Sequence, residues 1–405
     1  MTIGIIREGK IPPDSRVPLI PEQCKKAKEQ YGFEVIVQRS PTRCFADEDY
    51  TVQGIQLAED MNNCDILFGV KEVPIKDLIP DKTYFFFSHT IKKQAYNRDL
   101  LRAILSKNIR LIDYEVLTDE NGKRVIAFGK FAGMVGAHNA IWTYFKRHRL
   151  ADMPRMYTFP HYEDAVNWYK NNLKLPPIKV LLTGTGRVAN GARRVLEDMG
   201  LKAVSPQDYL EKSFDHAVFT QLSSLEYVRK IDGAPHSKEE FYAQPEKFTS
   251  AILPYARVSE VFINGIFWNP AAPAFFSNED MLHPDFKIEV IADVTCDIAP
   301  DSSIPCTVKP STIADPVYGY DPQTGEACEP FKENCVDVMA IDNLPNELAR
   351  DASTEFGNVL LDLILPELLK PHSEMLERAT VTEGGRLGKN FQYLSDFAGL
   401  KHEQA

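Results

Sequence analysis

One segment near the middle of the chain restricts the possible folds more than any other. Ile178–Thr183 (IKVLLT) is apolar enough for a buried strand, and the string GTGRVA, which begins at Gly184, follows it directly. A helical pattern then runs to Gly200, a residue suited to ending a helix. A strand, a glycine-rich turn and a helix in this order are typical of a dinucleotide-binding α/β domain.

The small residues of this turn have separate predicted roles. Gly184 permits a tight turn, and Gly186 lets the backbone approach a pyrophosphate whose charge lies at the helix N-terminus. Ala189 takes the third position, where a small residue lets the helix pack closely. We therefore predict an NAD(P) site that includes Gly184, Gly186, Arg187 and Val188. The alternative is a tight turn that needs glycine only for its backbone dihedral angles.

The length of 405 residues exceeds what one hydrophobic core usually holds, so two domains are expected. Apolar runs alternate with helical patterns before the glycine turn, which predicts parallel sheets with crossover helices. The predicted fold class is α/β, with two Rossmann-like domains whose mainly parallel sheets flank a cleft. We predict a substrate-side domain over 1–135 plus 345–405 and a dinucleotide-binding domain over 136–344. A helix over Leu348–Leu369 is expected to return the chain to the first domain.

The predicted strands and helices that precede the glycine turn are Thr2–Ile6, Phe33–Gln38, Cys64–Gly69 and Tyr84–Ser88 for the strands, and Pro21–Tyr31, Gln94–Ser106 and 130–150 for the helices.

Composition excludes several classes of protein. The net charge of −11 argues against a nucleic-acid binder, and no apolar run is long enough to cross a membrane. The N-terminal residues lack the pattern of a secretory signal. The seven cysteines are odd in number and show no CxxC spacing, so free thiols and a cytoplasmic location are expected. No metal site is predicted, and the sequence indicates no particular oligomeric state.

Polar side chains occur where the predicted strands of the first domain end. They are Arg16, Lys71 with Glu72, His89 and Glu115. Open α/β sheets bind ligands at the carboxyl ends of their strands. Lysine and histidine are suited to proton transfer, and arginine is suited to binding carboxylates. Spacing alone leaves open that these are solvated strand ends.

The strand predicted after the glycine turn bears on the choice of cofactor. Leu201–Val204 ends at Ser205, and no acid stands there. A carboxylate at such a strand end binds the ribose 2′-hydroxyl and repels a 2′-phosphate, so its absence slightly favours NADP(H) over NAD(H). Ser205 is then a candidate donor to the phosphate. Arg187 or Arg229 is the candidate cation, and either is also explained as surface charge.

Longer strings of the chain resemble one known family. They are VKEVP, KTYFFFSHTIKKQ, IRLIDYEV, RVIAFGKFAG, LLTGTGRVANGA, FINGIFW, IADVTCD and MAIDNLPNEL. They resemble the saccharopine dehydrogenase and alanine dehydrogenase family, and most of all the lysine–2-oxoglutarate reductase half of the bifunctional aminoadipic semialdehyde synthases. The likeness runs in the same order from Gly4 to about Phe397. The chain ends where the second enzyme of such a protein would begin, so a single activity is expected.

The resemblance implies catalytic roles for four residues. Lys71 and His89 match the acid–base pair that the family uses around the imine and the carbinolamine. Glu72 and Glu115 match acids that tune the charge of this pair. Lys130 is a further candidate only through its proximity in sequence, and a solvated helix face is the favoured interpretation there.

The resemblance also implies binding roles. Arg16 and Arg124 match arginines that hold substrate carboxylates. Asp297 matches an aspartate at the cleft edge of the cofactor domain, although a strand-end turn residue is an equally good interpretation. The loop implied to pass near the nicotinamide contains Met339, Ile341, Asp342 and Asn343.

The reaction implied is the reversible, NAD(P)H-dependent condensation of L-lysine with 2-oxoglutarate through an imine, which gives saccharopine. A first alternative on the same fold is alanine dehydrogenase or another opine-type dehydrogenase. A second alternative is a non-catalytic NAD(P)-binding sensor, which would be expected to lack Lys71 or His89.

Overall fold

A computed structural model describes residues 1–400 and contains two eight-stranded sheets with helices packed around them. The chain folds into two compact units. Unit 1 contains Met1–Phe128 and the chain from Ala349 onward, and unit 2 contains Gly129–Leu348. The predicted fold class, α/β with two mainly parallel Rossmann-like sheets, is confirmed.

The strands, in chain order, are β1 Thr2–Ile5, β2 Glu34–Gln38, β3 Gln56–Ala58, β4 Ile66–Phe68, β5 Thr83–Phe86, β6 Arg110–Asp113, β7 Lys179–Thr183, β8 Lys202–Ala203, β9 Val218–Leu222, β10 Val228–Lys230, β11 Phe248–Ser250, β12 Val261–Asn264, β13 Val290–Asp293, β14 Tyr318–Asp321, β15 Glu326–Cys328, β16 Val336–Met339, β17 Thr380–Glu383 and β18 Arg386–Leu387.

The α-helices are α1 Pro21–Tyr31, α2 Asp47–Val52, α3 Arg98–Ser106, α4 Gly129–Arg147, α5 Tyr162–Asn172, α6 Arg187–Asp198, α7 Pro206–Glu211, α8 Ser224–Tyr227, α9 Lys238–Ala243, α10 Leu253–Ala256, α11 Asn278–Met281, α12 Ala349–Val359, α13 Leu365–Leu368, α14 Glu374–Ala379 and α15 Ser395–Ala398.

The sheet of unit 1 has the strand order β18-β17-β6-β5-β4-β1-β2-β3. The six strands β1 to β6 are parallel, and β17 and β18 add an antiparallel edge. Successive residues of β4 enter different apolar clusters, since Ile66 and Phe68 belong to one and Leu67 to the other. A parallel strand that is covered on both faces is expected to be apolar throughout, which explains the run CDILFG.

The sheet of unit 2 has the order β15-β14-β16-β13-β12-β7-β9-β8. The strands from β16 to β8 in this order are parallel, whereas β14 and β15 are antiparallel additions. The strand β7, which precedes the glycine turn, therefore lies between β12 and β9. The short β8 lies at the edge and pairs with β9.

Two predicted helices differ from the structure in detail. The helix predicted over Gln94–Ser106 begins at Arg98, and a 3₁₀ turn precedes it. The helix predicted over Leu348–Leu369 consists of α12, a π-helical turn at Leu360–Ile364 and α13. Pro366 explains this interruption, because proline lacks the backbone N–H and its ring crowds the carbonyl four residues earlier.

Within residues 1–400, no helix has both the length and the apolar composition that crossing a bilayer requires.

Candidate active site

Lys71, Glu72 and His89 are brought to one edge of the unit 1 sheet. Lys71 and Glu72 follow β4, and His89 follows β5, which is its parallel neighbour. The Nδ1 atom of His89 lies 2.5 Å from Oε1 of Glu72. A carboxylate on Nδ1 fixes the orientation of the imidazole ring and directs Nε2 away from Glu72. His89 has a positive φ of 54°, a backbone conformation that residues other than glycine adopt uncommonly.

Glu72 remains ionised in this arrangement. Burial alone would raise the pKa of its carboxyl, but the hydrogen bond and charge of His89 together with the charge of Lys10 lower the pKa to about 2. The Lys10 ammonium lies 3.2 Å from Oε2 of Glu72. Glu72 is therefore a permanent negative charge between an imidazole and an ammonium group at neutral pH.

Lys71 has the opposite tendency. Burial of its side chain lowers the pKa of the ammonium group, and the positive charges of Arg16 and Lys10 lower it further. Asp14 and Glu72 oppose this effect with their negative charges. A lysine with a depressed pKa exchanges protons near neutral pH more readily than a solvated one.

Arg16 has a partner that the sequence did not reveal. Its Nε and Nη2 atoms donate to the two carboxylate oxygens of Asp14 at 3.0 and 2.5 Å, and both side chains are buried. The guanidinium group also lies 4.3 Å from the ring centre of Phe128. Arg16 is thus held in one orientation beside Lys71, whose pKa it lowers. Its predicted binding of a substrate carboxylate stays a prediction.

Glu115 and Arg124 form a second charged group in unit 1. Oε1 of Glu115 lies 3.1 Å from the Lys92 ammonium and 3.7 Å from Nη1 of Arg124. Arg124 also donates to the carbonyl of Ile126 and lies over the ring of Phe87. Oε2 of Glu115 is buried and has no hydrogen-bond partner within residues 1–400. The predicted acid and the predicted arginine are therefore neighbours.

Two acids that sequence reasoning missed, the half-buried Glu8 and the buried Asp113, hold this edge of the sheet together. Glu8 follows β1 and accepts hydrogen bonds from the backbone N–H groups of Val70 (2.7 Å) and Lys71 (2.8 Å). Asp113 ends β6 and accepts from Ser88 N, Ser88 Oγ and Glu115 N. Their positions, shortly after the end of β1 and at the end of β6, are the sequence feature that could have indicated them. Their partners, however, are distant in sequence and could not be inferred from spacing.

Glu8 leads to a testable pH dependence. Burial, and then the charge of Asp14, raise the pKa of its carboxyl from 4.5 to about 8. The stability contributed by protonated Glu8 is complete below pH 4.5 and is lost as the pH rises to about 8. At about 1.4 kcal/mol per pKa unit, this loss amounts to several kcal/mol. We expect the thermal midpoint of wild type to fall relative to that of Glu8→Gln between about pH 5 and about pH 8.5.

The control for this comparison is Glu59→Gln, since Glu59 is an exposed carboxylate of the same unit that pairs with Arg7. Parallel midpoints for wild type and Glu8→Gln over the whole range would show that the pKa of Glu8 is not raised in the folded protein.

The glycine turn of unit 2 has the geometry of a dinucleotide cradle. Gly184 has a φ of +102°, and a Cβ built on it would lie 2.6 Å from the carbonyl oxygen of Gly265, so this position requires glycine. A Cβ built on Gly186 would meet no described atom within 4 Å. The space above Gly186 is therefore open, as the approach of a pyrophosphate to the start of α6 requires. These residues fit the predicted dinucleotide.

The helix α6, which begins at Arg187, lies against α4 with almost no space between the backbones. A Cβ on Gly133 of α4 would lie 1.7 Å from the carbonyl oxygen of Val188, and one on Gly191 would lie 2.1 Å from that of Lys130. Val188 is therefore a packing residue of the α4–α6 contact, in addition to its predicted place beside the cofactor. Ala189 is fully buried, in keeping with its predicted packing role.

Ser205 lies farther from the glycine turn than its place in the sequence implies. It follows the edge strand β8, which β9 separates from β7. Its hydroxyl accepts a hydrogen bond from Asp208 N and so caps α7. The strand that directly adjoins β7 on this side is β9, which ends at Leu222.

The remaining predicted cofactor residues lie near the ends of β13 and β16. Asp297 is in the turn after β13, where its N–H approaches Thr295 Oγ1 at 3.5 Å. Met339 is the last residue of β16 and is fully buried, whereas Asp342 is exposed in the loop that follows. Whether Asp297, Met339 and Asp342 contact a cofactor stays a prediction.

A buried polar network that the sequence did not indicate joins neighbouring strand ends in unit 2. Asn264, at the end of β12, accepts from Thr183 Oγ1 and donates to Asp293 Oδ1, each at 3.0 Å. Asp293 also accepts from the hydroxyls of Thr295 and Thr307. Burial raises the pKa of Asp293. The network fixes the strand ends β7, β12 and β13 relative to one another.

Comparisons with known proteins agree with the predicted resemblance. Residues 4–135 match the family model described as "Alanine dehydrogenase/PNT, N-terminal domain". The chain is 30% identical to the mitochondrial alpha-aminoadipic semialdehyde synthase of Mus musculus, over 94% of this chain and 46% of that protein. It is 28% identical to the saccharopine dehydrogenase (NAD(+), L-lysine-forming) of Candida glabrata, over 89% of this chain and 91% of that protein. The chain is a homologue of these proteins.

The predicted resemblance is thereby confirmed. This chain spans less than half the length of the mammalian synthases that it matches, namely 46% of the mouse and rat proteins. Among solved structures, an L-alanine dehydrogenase matches 98% of this chain and 100% of its own, with a TM-score of 0.62 and 16% identity. A transhydrogenase from Sinorhizobium meliloti matches 96% of this chain and 98% of its own, with a TM-score of 0.58 and 14% identity. At these identities the structural matches establish the fold.

Proposed function

We propose that the protein is a lysine-forming saccharopine dehydrogenase, an NAD(P)-dependent oxidoreductase that joins L-lysine to 2-oxoglutarate. The observation that carries the proposal is the group of Lys71, Glu72 and His89 at the strand ends of the unit 1 sheet. The open glycine turn of unit 2 supports the use of a dinucleotide. The names of homologues that match along most of the chain support the substrates. We further propose that unit 1 supplies the substrate-side residues and unit 2 binds the dinucleotide.

Each part of the reaction has a suitable side chain. Condensation of an amine with a ketone forms a carbinolamine and then an imine, and both steps require protons to be added and removed. Lys71, with its lowered pKa, and His89, oriented by Glu72, are proposed to move these protons. When bound, the dinucleotide supplies the hydride that reduces the imine to the secondary amine of saccharopine.

The number of carboxylates in the ligands explains the arginines. Saccharopine carries three carboxylates, and arginine binds a carboxylate through two parallel hydrogen bonds. Arg16 and Arg124 are proposed to hold two of them. Arg124 would then leave Glu115 to bind the substrate. Glu115 would keep its ion pair with Lys92, whose ammonium lies 3.1 Å from Oε1.

The second candidate function is alanine dehydrogenase, which the family model over residues 4–135 favours by its description. The two reactions differ in how many carboxylates the site must hold, since alanine has only one. We expect Arg124→Met to weaken the apparent affinity for saccharopine by about tenfold or more, the loss of a charge-assisted contact. The measurement is the oxidation of saccharopine with NAD(P)⁺, followed by quantification of released lysine and 2-oxoglutarate.

The matched control is Arg7→Met, because Arg7 is an exposed arginine paired with Glu59 in the same unit. Oxidation of alanine but not of saccharopine by the wild-type protein would reject the proposal in favour of the second candidate.

A further inference from the structure

The topology of unit 2 identifies which strand end lies beside the glycine turn. In dinucleotide-binding folds, an acid at the end of the strand next to the glycine-turn strand binds the adenosine ribose hydroxyls. Here that strand is β9, since Thr183 is level with Leu222 and Gly184 N donates to the carbonyl of Leu222 at 2.8 Å. The residues just after Leu222 therefore occupy the position expected to meet the ribose.

The strand order of unit 2 explains why sequence spacing pointed to Ser205 rather than to the end of β9. The ribose acid usually follows the glycine turn by roughly 20 residues, which in this chain leads to Ser205. The strand β8 occupies this part of the chain and α7 follows it, which places Ser205 at the outer edge of the sheet, beyond β9. The chain reaches the position beside β7 only with Val218–Leu222.

The end of β9 carries the carboxylate that Ser205 lacks. Oε2 of Glu226 accepts hydrogen bonds from Ser223 N at 2.7 Å and from the Ser223 hydroxyl, which holds the carboxylate against the strand end. Oε1 of Glu226 makes no hydrogen bond to any residue in 1–400, and the side chain is partly exposed. One carboxylate oxygen is thus positioned by the protein and the other remains available to a ligand.

The neighbouring contacts connect this strand end to the glycine turn. Gln221 Nε2 donates to the carbonyl of Gly184 at 2.9 Å, and its Oε1 accepts from Arg193 at 3.4 Å. The side chain that precedes Leu222 is therefore occupied in bracing the turn. The polar side chains that follow the strand are those of Ser223, Ser224 and Glu226, and Ser224 is buried. Glu226 is the acid among them.

We propose that Glu226 binds the adenosine ribose hydroxyls of NAD(H) and discriminates against NADP(H). The inference rests on the proposed use of a dinucleotide and replaces the slight preference for NADP(H) expected from Ser205. A carboxylate with a free oxygen accepts hydrogen bonds from a ribose diol but repels a 2′-phosphate that carries close to two negative charges. Arg187 is an exposed cation at the start of α6, and the substitution Glu226→Gln does not remove this positive charge.

The test is the equilibrium binding of NADH and of NADPH, measured by fluorescence titration of the purified full-length protein. We expect wild type to bind NADH at least about tenfold more tightly than NADPH, and Glu226→Gln to reduce this ratio by about tenfold or more. Glutamine keeps one oxygen to accept the Ser223 N–H, so the turn should survive. Glu226→Asp keeps the charge and is expected to retain the preference for NADH.

The chain offers a matched control at the end of β8. Asp208 stands three residues after Ser205, as Glu226 stands three residues after Ser223, and its N–H donates to Ser205 Oγ at 3.1 Å. Asp208→Asn should leave the ratio of affinities unchanged. A preference for NADPH in wild type, an unaltered ratio in Glu226→Gln, or a shifted ratio in Asp208→Asn would each overturn the assignment. Binding of neither nucleotide would instead reject the proposed cofactor, and with it this inference.

Discussion

Replacement of Lys71 by methionine, or of His89 by glutamine, is expected to lower kcat by about 10²–10⁴-fold, the usual contribution of a positioned proton-transfer group. Methionine preserves much of the length of the lysine side chain but cannot carry a proton. Glutamine can still donate to Glu72 but does not exchange protons near neutral pH. The KM for each substrate should change much less than kcat, because neither group is proposed to bind a carboxylate.

Two variants carry the same substitutions at exposed sites and serve as controls. Lys76→Met lies five residues after Lys71, and His372→Gln replaces an exposed histidine of the same unit. Both should retain wild-type kcat. A folded Lys71→Met or His89→Gln protein that binds the dinucleotide and turns over at the wild-type rate would remove the proposed acid–base roles.

Gly186→Val is expected to abolish dinucleotide binding while leaving the fold intact. Gly186 has an extended backbone (φ −85°, ψ −168°), which valine adopts without strain, and no described atom lies within 4 Å of its would-be Cβ. The added side chain is therefore expected to occupy the open space that we propose for the pyrophosphate. Titration with NADH, followed by protein fluorescence, measures the loss directly, and Gly186→Ala should show a smaller one.

A second substitution in the same turn separates the two uses of glycine. In Gly184→Ala the added Cβ would lie 2.6 Å from the carbonyl oxygen of Gly265, and the backbone φ of +102° disfavours alanine. This variant should therefore lower the thermal midpoint as well as the affinity for NADH. Gly186→Val should keep the wild-type midpoint. Unchanged affinity for NADH in Gly186→Val would mean that the turn serves only the fold.

Local pattern was sufficient to predict much of the fold. The helix α1 was predicted with the limits observed, and the strands β1, β2, β4, β5 and β7 were predicted to within a few residues, because each is a short run rich in apolar residues. The strands β3 and β6 were given no predicted limits. The polar residues Lys71 and His89 were recognised because they directly follow such runs. The contact between His89 and Glu72, the residue next to Lys71, follows from the parallel pairing of β4 and β5.

Features that depend on spatial order were not predictable from pattern. The positions of β8 and β9 are an example, because local sequence does not tell which of two strands pairs with β7 and which lies at the edge of the sheet. Glu8 and Asp293 likewise appear as ordinary charged residues, and the backbone amides and hydroxyls that bind their carboxyl groups include ones from distant segments. Spacing likewise could not show that β9 lies between β7 and β8, the strand that Ser205 follows.

The most direct test of the proposed reaction is the initial rate of NADH or NADPH oxidation when L-lysine and 2-oxoglutarate are omitted in turn. We expect oxidation only when both are present, with formation of one saccharopine for each nucleotide oxidised. Ornithine in place of lysine, and ammonia with pyruvate in place of both substrates, should support little or no oxidation. Comparable oxidation with ammonia and pyruvate, or with 2-oxoglutarate and no amine other than ammonia, would contradict the proposal that the protein joins lysine to 2-oxoglutarate.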